Sequence, residues 1–252
     1  MGPGLLQADE ESPLEVFNEH GRSPFVLVCD HAGRSLPRAL GTLGLTEDEL
    51  GAHIAWDIGA AGLACRLAQE LDAPLFLQRY SRLVIDCNRP LAAPDSIPES
   101  SGGVAIPGNR GLSAEARAQR VSAIFEPYHA GISAALAQRS RYAVLAMHSF
   151  TPELYGERRP FHAGVLYARD ARLAAPVLAQ LRQLDGLLIG DNQPYAASEL
   201  TDYAIIEYAE RRGAPYVELE VRQDLLADAG SQQAWATRLA EALRFASATF
   251  HW

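Results

Sequence analysis

Compact apolar runs alternate with amphipathic stretches along most of the 252-residue chain. PFVLVCD, Pro24–Asp30, is short, partly β-branched and stopped by Ala32-Gly33, which predicts a buried strand. Runs of the same kind predict strands over Ala73–Leu77, Leu83–Cys87 and Tyr142–Ser149, and in GVLYARD, LLIGDN and PYVELEV. Between them lie helical patterns. Thr46 is a natural N-cap, Glu49 completes a capping box, and the helix they open is expected to run to Leu71. Ser113 caps a second helix over Ala114–Arg139, which Pro127 should kink or divide. Ala171–Leu184, TDYAIIEYAERRG and SQQAWATRLAEALRFASATF read as further helices. Such alternation predicts an α/β fold: a largely parallel or mixed sheet covered by helices on both faces. Residues 1–22 look like a loose lead-in. Residues 23–252 show no repeat and no linker, so one domain is expected there. The Pro-, Ser- and Gly-rich stretch 90–111 is long enough to be a lid or binding loop.

The polar residues that interrupt this pattern sit at strand ends, where ligand sites of open α/β sheets form. Asp30-His31, Asp86 with Asn88-Arg89, His148-Ser149 and Glu218/Glu220 all fall there. Any one of them fits an ordinary buried hydrogen bond. Two histidines delivered by separate strands, with acids nearby, fit a mononuclear zinc site, which takes about three protein ligands. His31 and His148 supply the imidazoles. The carboxylate has several candidates. Asp30 would point away from its neighbour His31 in an extended segment. Asp86 is a second choice. Asp57 shares a face with His53 at i, i+4 of the expected helix, and His53 could itself be a ligand. Glu218 and Glu220 alternate with Val217, Leu219 and Val221, so both acids face one side of the sheet. A carboxylate so placed can serve as a general base. Arg82 and Arg89 flank LVIDC, and Arg suits a carboxylate through paired hydrogen bonds. The chain lacks G-x-S-x-G, a P-loop and G-x-G-x-x-G, which removes support for serine hydrolase and nucleotide-binding readings.

Composition narrows the classes further. Lys+Arg number 22 against 31 Asp+Glu, a formal charge of −9, with no basic cluster. Nucleic acid and anionic membrane surfaces are poor partners for such a chain. No basic-then-apolar leader opens the sequence and no run reaches about 18 apolar residues, so a cytoplasmic protein is expected. Cys29, Cys65 and Cys87 are odd in number and form no CxxC, which fits free buried thiols in a reducing compartment.

The motifs DHAGRSLP, HIAWDIGA, YSRLVIDCNRP, EPYH, MHSFTP and VELEV follow in order from about Phe25 to Leu226. Together they resemble the N-formylglutamate amidohydrolase family. VIDCNRP and LEV are also similar to the aspartoacylase and succinylglutamate desuccinylase group, whose fold is like that of the zinc carboxypeptidases. The resemblance implies a three-layer αβα sandwich around a mostly parallel, mixed sheet, holding one Zn2+. It implies His31 and His148 as metal ligands and Glu220, rather than Glu218, as general base. It implies Asn88 and Arg89 as the pair that receives a substrate carboxylate, with Arg82 a second candidate; His129 matches its PYH element, whose expected part is a substrate contact or support behind the residues that touch substrate. Zinc carboxypeptidases carry H-x-x-E, whereas Arg34 stands three residues after His31. The third ligand must therefore come from elsewhere, and Asp57 is the choice. The expected activity is metal-dependent cleavage of an N-formyl or other small N-acyl acidic amino acid such as N-formylglutamate. Rival readings are a carboxypeptidase-like or ester-cleaving metal hydrolase, and a non-catalytic binding protein of the same fold. HSFTPELYGERRPFH and GDNQPY depart from the histidine-degrading deformylases and look closer to a broader branch of the family.

Overall fold

The computed structural model describes residues 4–248. Its strands are β1 (Leu14–Phe17), β2 (Phe25–Cys29), β3 (Leu75–Gln78), the short pair β4 (Ser100–Ser101) and β5 (Val104–Ala105), β6 (Ala143–Phe150), the pair β7 (Glu153–Leu154) and β8 (Glu157–Arg158), β9 (Ala163–Leu166), β10 (Ile189–Asp191) and β11 (Tyr216–Arg222). The α-helices are α1 (Glu47–Gly51), α2 (Ala60–Leu71), α3 (Ala114–Arg120), α4 (Glu126–Ala137), α5 (Ala174–Leu181), α6 (Tyr203–Tyr208) and α7 (Ala229–Ala248). Seven strands form the main sheet in the order β1-β3-β2-β6-β11-β9-β10. β3, β2, β6 and β11 run parallel; β1 pairs antiparallel with β3, and β9 antiparallel with β11. The carboxyl ends of the four parallel strands therefore share one edge.

The period-two alternation sorts the strand residues into two cores. Leu27, Leu145, Val217, Leu219 and Val221 face the layer of α2, α5 and α7. Val26, Val28, Val144, Ala146 and Tyr216 face the opposite layer, built from α4, α6 and the segments between β3 and β6. The mixed sheet with helices on both faces is thus a three-layer αβα sandwich. Continuing the second alternation places Asp30, His148, Glu218 and Glu220 on that second face, all of them buried.

Local chemistry explains where the elements depart from the sequence pattern. Thr46 and Glu49 form the expected capping box, with Thr46 Oγ1 accepting from Glu49 N and Glu49 Oε2 accepting from Thr46 N. The helix nevertheless stops at Gly51 and resumes only at Ala60. Between them the Asp57 N–H donates to His31 O, and Gly59 adopts φ 83° before α2. His53 and Asp57 therefore do not share a helical face. LVIDC is a buried loop instead of a strand. Its carbonyls are taken by side chains: Asn109 Nδ2 donates to Leu83 O and Arg120 Nη1 to Val84 O, in place of a ladder. Pro127 is absorbed by a widened π-helical turn, Val121–Phe125, that joins α3 to α4. Part of the expected loose lead-in is ordered: β1 extends the sheet edge. Within the stretch 90–111 Asn109 Nδ2 also donates to Pro98 O, and none of the stretch's residues lines the cleft. The last two residues of the expected C-terminal helix lie outside the described residues.

Candidate active site

A cleft of about 470 Å³ opens at the carboxyl edge of the parallel strands. His31, Asp57 and His148 each present a ligand atom to one point, all within 4.8 Å of one another and all buried. β2 brings His31 to the edge, where the chain turns. Gly33 makes that turn possible, because a Cβ there would lie 2.0 Å from Arg79 O. β6 brings His148, whose Nδ1 is 2.8 Å from Asp57 Oδ2. The same oxygen lies 3.5 Å from His31 Nδ1 and accepts from Ser149 N at 3.3 Å. The His31 and His148 ring centroids stand 5.0 Å apart.

The groups behind these three fix their orientation. His31 Nε2 is 2.8 Å from Asp86 Oδ1, so Asp86 holds the far side of that ring. This leaves His31 Nδ1 facing Asp57 as a buried nitrogen without a hydrogen-bond partner. A carboxylate on the remote nitrogen and a bare nitrogen turned toward another carboxylate are what a metal-bound imidazole requires. The donor set of two imidazoles and one carboxylate is also the type that zinc takes. The residues present therefore fit a divalent cation. Asp30, the alternative beside His31, is occupied differently: its Oδ1 accepts from the Tyr128 hydroxyl at 2.8 Å, and its Oδ2 is 3.9 Å from His148 Nε2.

Electrostatics follow from crowding charge into a dry place. Burial alone would raise the Asp57 carboxyl, but the two imidazoles hold it far below the usual carboxylate range. Burial opposes His148 as a cation, yet the bond to Asp57 and the nearby Glu218 and Glu220 raise it well above the usual histidine value. Burial raises Glu218 strongly, with Asp202 adding to the effect. Burial pushes Glu220 up to about 7. Glu220 pairs in register with His148 across β11 and β6, and its Oε2 has no partner.

Of the eight residues assigned a role from the sequence, seven line this one cleft: His31, Asp57, Arg82, Asn88, Arg89, His148 and Glu220. The arginines are not equivalent. Arg82 donates from Nε and Nη2 to Asp86 Oδ2 at 3.1 and 2.8 Å, and its Nη1 lies 3.6 Å from Asp57 Oδ1. It locks two acids of the centre, an arrangement that leaves it poorly placed to clamp a substrate. Arg89 donates from Nε to Asp95 at 2.9 Å and from Nη1 to Thr201 O. Asn88 Oδ1 accepts from Ala204 N at 3.0 Å, which leaves its amide N–H groups as donors for the cleft.

His129, one of whose expected parts is a substrate contact, is not among the lining residues. It sits on α4 in an aromatic cluster, 4.0 Å from the Phe125 ring and 4.6 Å from that of Tyr203, with Nδ1 bonded to the Tyr208 hydroxyl. Burial pushes its pKa down to about 3, so it is a neutral packing residue. Sequence reasoning missed Phe150, Thr151, Tyr195 and Asp202, which also line the cleft. Tyr195 stands in GDNQPY, where departure from the family pattern was a signal. Asp202 had none.

Fold and cleft together define an α/β enzyme with a buried His–Asp–His centre. Residues 23–227 match the profile of the N-formylglutamate amidohydrolase family, and the chain belongs to that family. The chain is similar to the gene product Atu2144 of Agrobacterium tumefaciens, with 36% identity over 97% of this chain and 98% of that one, and a TM-score of 0.94. It shares its fold with an N-formylglutamate amidohydrolase from Ralstonia eutropha JMP134, at 17% identity, coverage of 94% and 98%, and a TM-score of 0.68. No curated protein matches.

Proposed function

We propose that this chain is a cytoplasmic, zinc-dependent amidohydrolase, with residues 23–252 as one catalytic domain, that removes a formyl or other small acyl group from an acidic amino acid such as N-formylglutamate. The carrying observation is the buried meeting of His31, Asp57 and His148 beside Glu220, in a chain of this family. Those three residues would hold the cation, which when bound supplies a Lewis acid that polarises the scissile carbonyl and acidifies the attacking water. Glu220 takes a proton from that water on its carboxylate and returns it to the leaving nitrogen. A carboxyl raised by burial is a better proton acceptor, once ionised, than an ordinary glutamate. Asn88 and Arg89 receive a carboxylate of the substrate and set the amide in register with the centre. Arg82 keeps Asp57 and Asp86 ionised and oriented.

The test is elemental analysis of the purified protein joined to a screen for formate and amine release from N-acyl amino acids. His148→Ala is expected to lose bound zinc and turnover together. Full metal content in that variant would refute the ligand set.

A further inference from the structure

Arg82 and Arg89 both hold carboxylates of the chain itself. Arg159 does not. Among the described residues no carboxylate lies within ion-pair distance of its guanidinium. Instead its Nη1 donates to the Tyr195 hydroxyl at 2.6 Å, and its Cζ lies 4.6 Å from the Tyr195 ring and 5.9 Å from that of Phe150. Phe150 and Tyr195 both line the cleft; Arg159 itself lines the adjoining cavity, which shares Pro194 with the cleft, and reaches the cleft wall through Tyr195. Arg159 is half-buried, and aromatic faces offset only part of what a cation loses on leaving water. Its field reaches the cleft wall: His53, a lining residue, is held below the usual histidine value by burial and then by Arg159 and Arg82. The Tyr195 hydroxyl already accepts from Arg159, so its own proton is directed to some other acceptor. Arg159 and Tyr195 also stand in the two stretches where the sequence departs from the histidine-degrading deformylases.

We infer that Arg159 and Tyr195 form a second anion-recognising subsite of the cleft, which binds a carboxylate of the substrate independently of Asn88 and Arg89. The inference rests on the amide-hydrolysis reading and deepens it by assigning residues of this chain to the second carboxylate of such a substrate. Arg159 supplies charge and Tyr195 a hydrogen-bond donor, from two loops that lie side by side.

The experiment compares wild type, R159Q, R159K and Y195F on N-formyl-L-glutamate and its two monoamides. Calorimetric titration with L-glutamate, which carries the same two carboxylates, gives a reading that does not depend on turnover. R159Q is expected to raise KM for N-formylglutamate by about ten- to a hundredfold, as the loss of one charge-assisted contact implies. The effect of R159Q is expected to be much smaller on one of the monoamides, whose missing charge identifies the carboxylate bound here. R159K is expected to recover part of the loss, and Y195F to show a smaller effect of the same selectivity. Unchanged KM, or equal loss on all three compounds, overturns the subsite. Wild type that cleaves none of them yet binds glutamate in an Arg159-dependent way refutes N-formylglutamate as the substrate and supports the subsite. Wild type that neither cleaves nor binds refutes both.

Discussion

Asp57 bonds to one histidine, faces another, and answers to Arg82, all through a single carboxylate. Its neighbours His31 and His148 are legible in the sequence because each ends an apolar run that can only be a buried strand. Asp57 is legible as a residue type, but its supposed helical pairing with His53 is not what positions it. Tertiary bonds to His31 O and to the imidazole of His148 outrank local helix preference there. Glu220 shows the converse. Alternation with Val217, Leu219 and Val221 gives its face directly, while its choice over Glu218 needs the family pattern. Glu220→Gln is expected to keep bound metal and lower kcat by a factor of about 10² or more. Metal analysis beside steady-state kinetics checks this, and unchanged turnover would move the base to Glu218.

Among the elements, β9 and β10 owe their use to what lies across them. A Cβ on Gly164 would stand 2.2 Å from Gln193 O, and one on Gly190 would stand 2.5 Å from it. The chain at Gln193 can therefore cross close to both strands and deliver Pro194, Tyr195 and Ala196 to the cleft. Gly164→Ala is expected to push that crossing outward and raise KM, with zinc content preserved; an unchanged KM would show the crossing to be slack. The join between β9 and β11 carries a pH dependence. Glu210 accepts from the N–H groups of Arg169 and Asp170 at 2.7 and 2.9 Å, and from the Tyr216 hydroxyl. Burial opposes its charge, but these donors bring its pKa from 4.5 down to about 2. The folded state thus favours the carboxylate. Its contribution is fully present above pH 4.5 and is lost as pH falls toward about 2. Denaturant titration of wild type and Glu210→Gln should show a stability gap that narrows over that window. The buried loop at LVIDC was misread because its apolar, β-branched residues look like a strand; the donors that replace a ladder, Asn109 and Arg120, lie far along the chain.

For the molecule as a whole, a cation held by the native state alone adds to stability by mass action, about 3 kcal/mol at a hundredfold excess over Kd. Chelation is therefore expected to lower Tm by several degrees, and Asp57→Asn to remove the difference between chelated and zinc-loaded protein. Scanning calorimetry reads both. The sheet order has a further effect. β11 follows nearly every other element in sequence, yet it lies inside the sheet, between β6 and β9. The place between β6 and β9 is therefore filled only once Tyr216–Arg222 has been made, after both of its neighbours. Glu220, the proposed base, takes its place beside His148 only with that insertion, so activity is expected to arrive with completion of the central ladder.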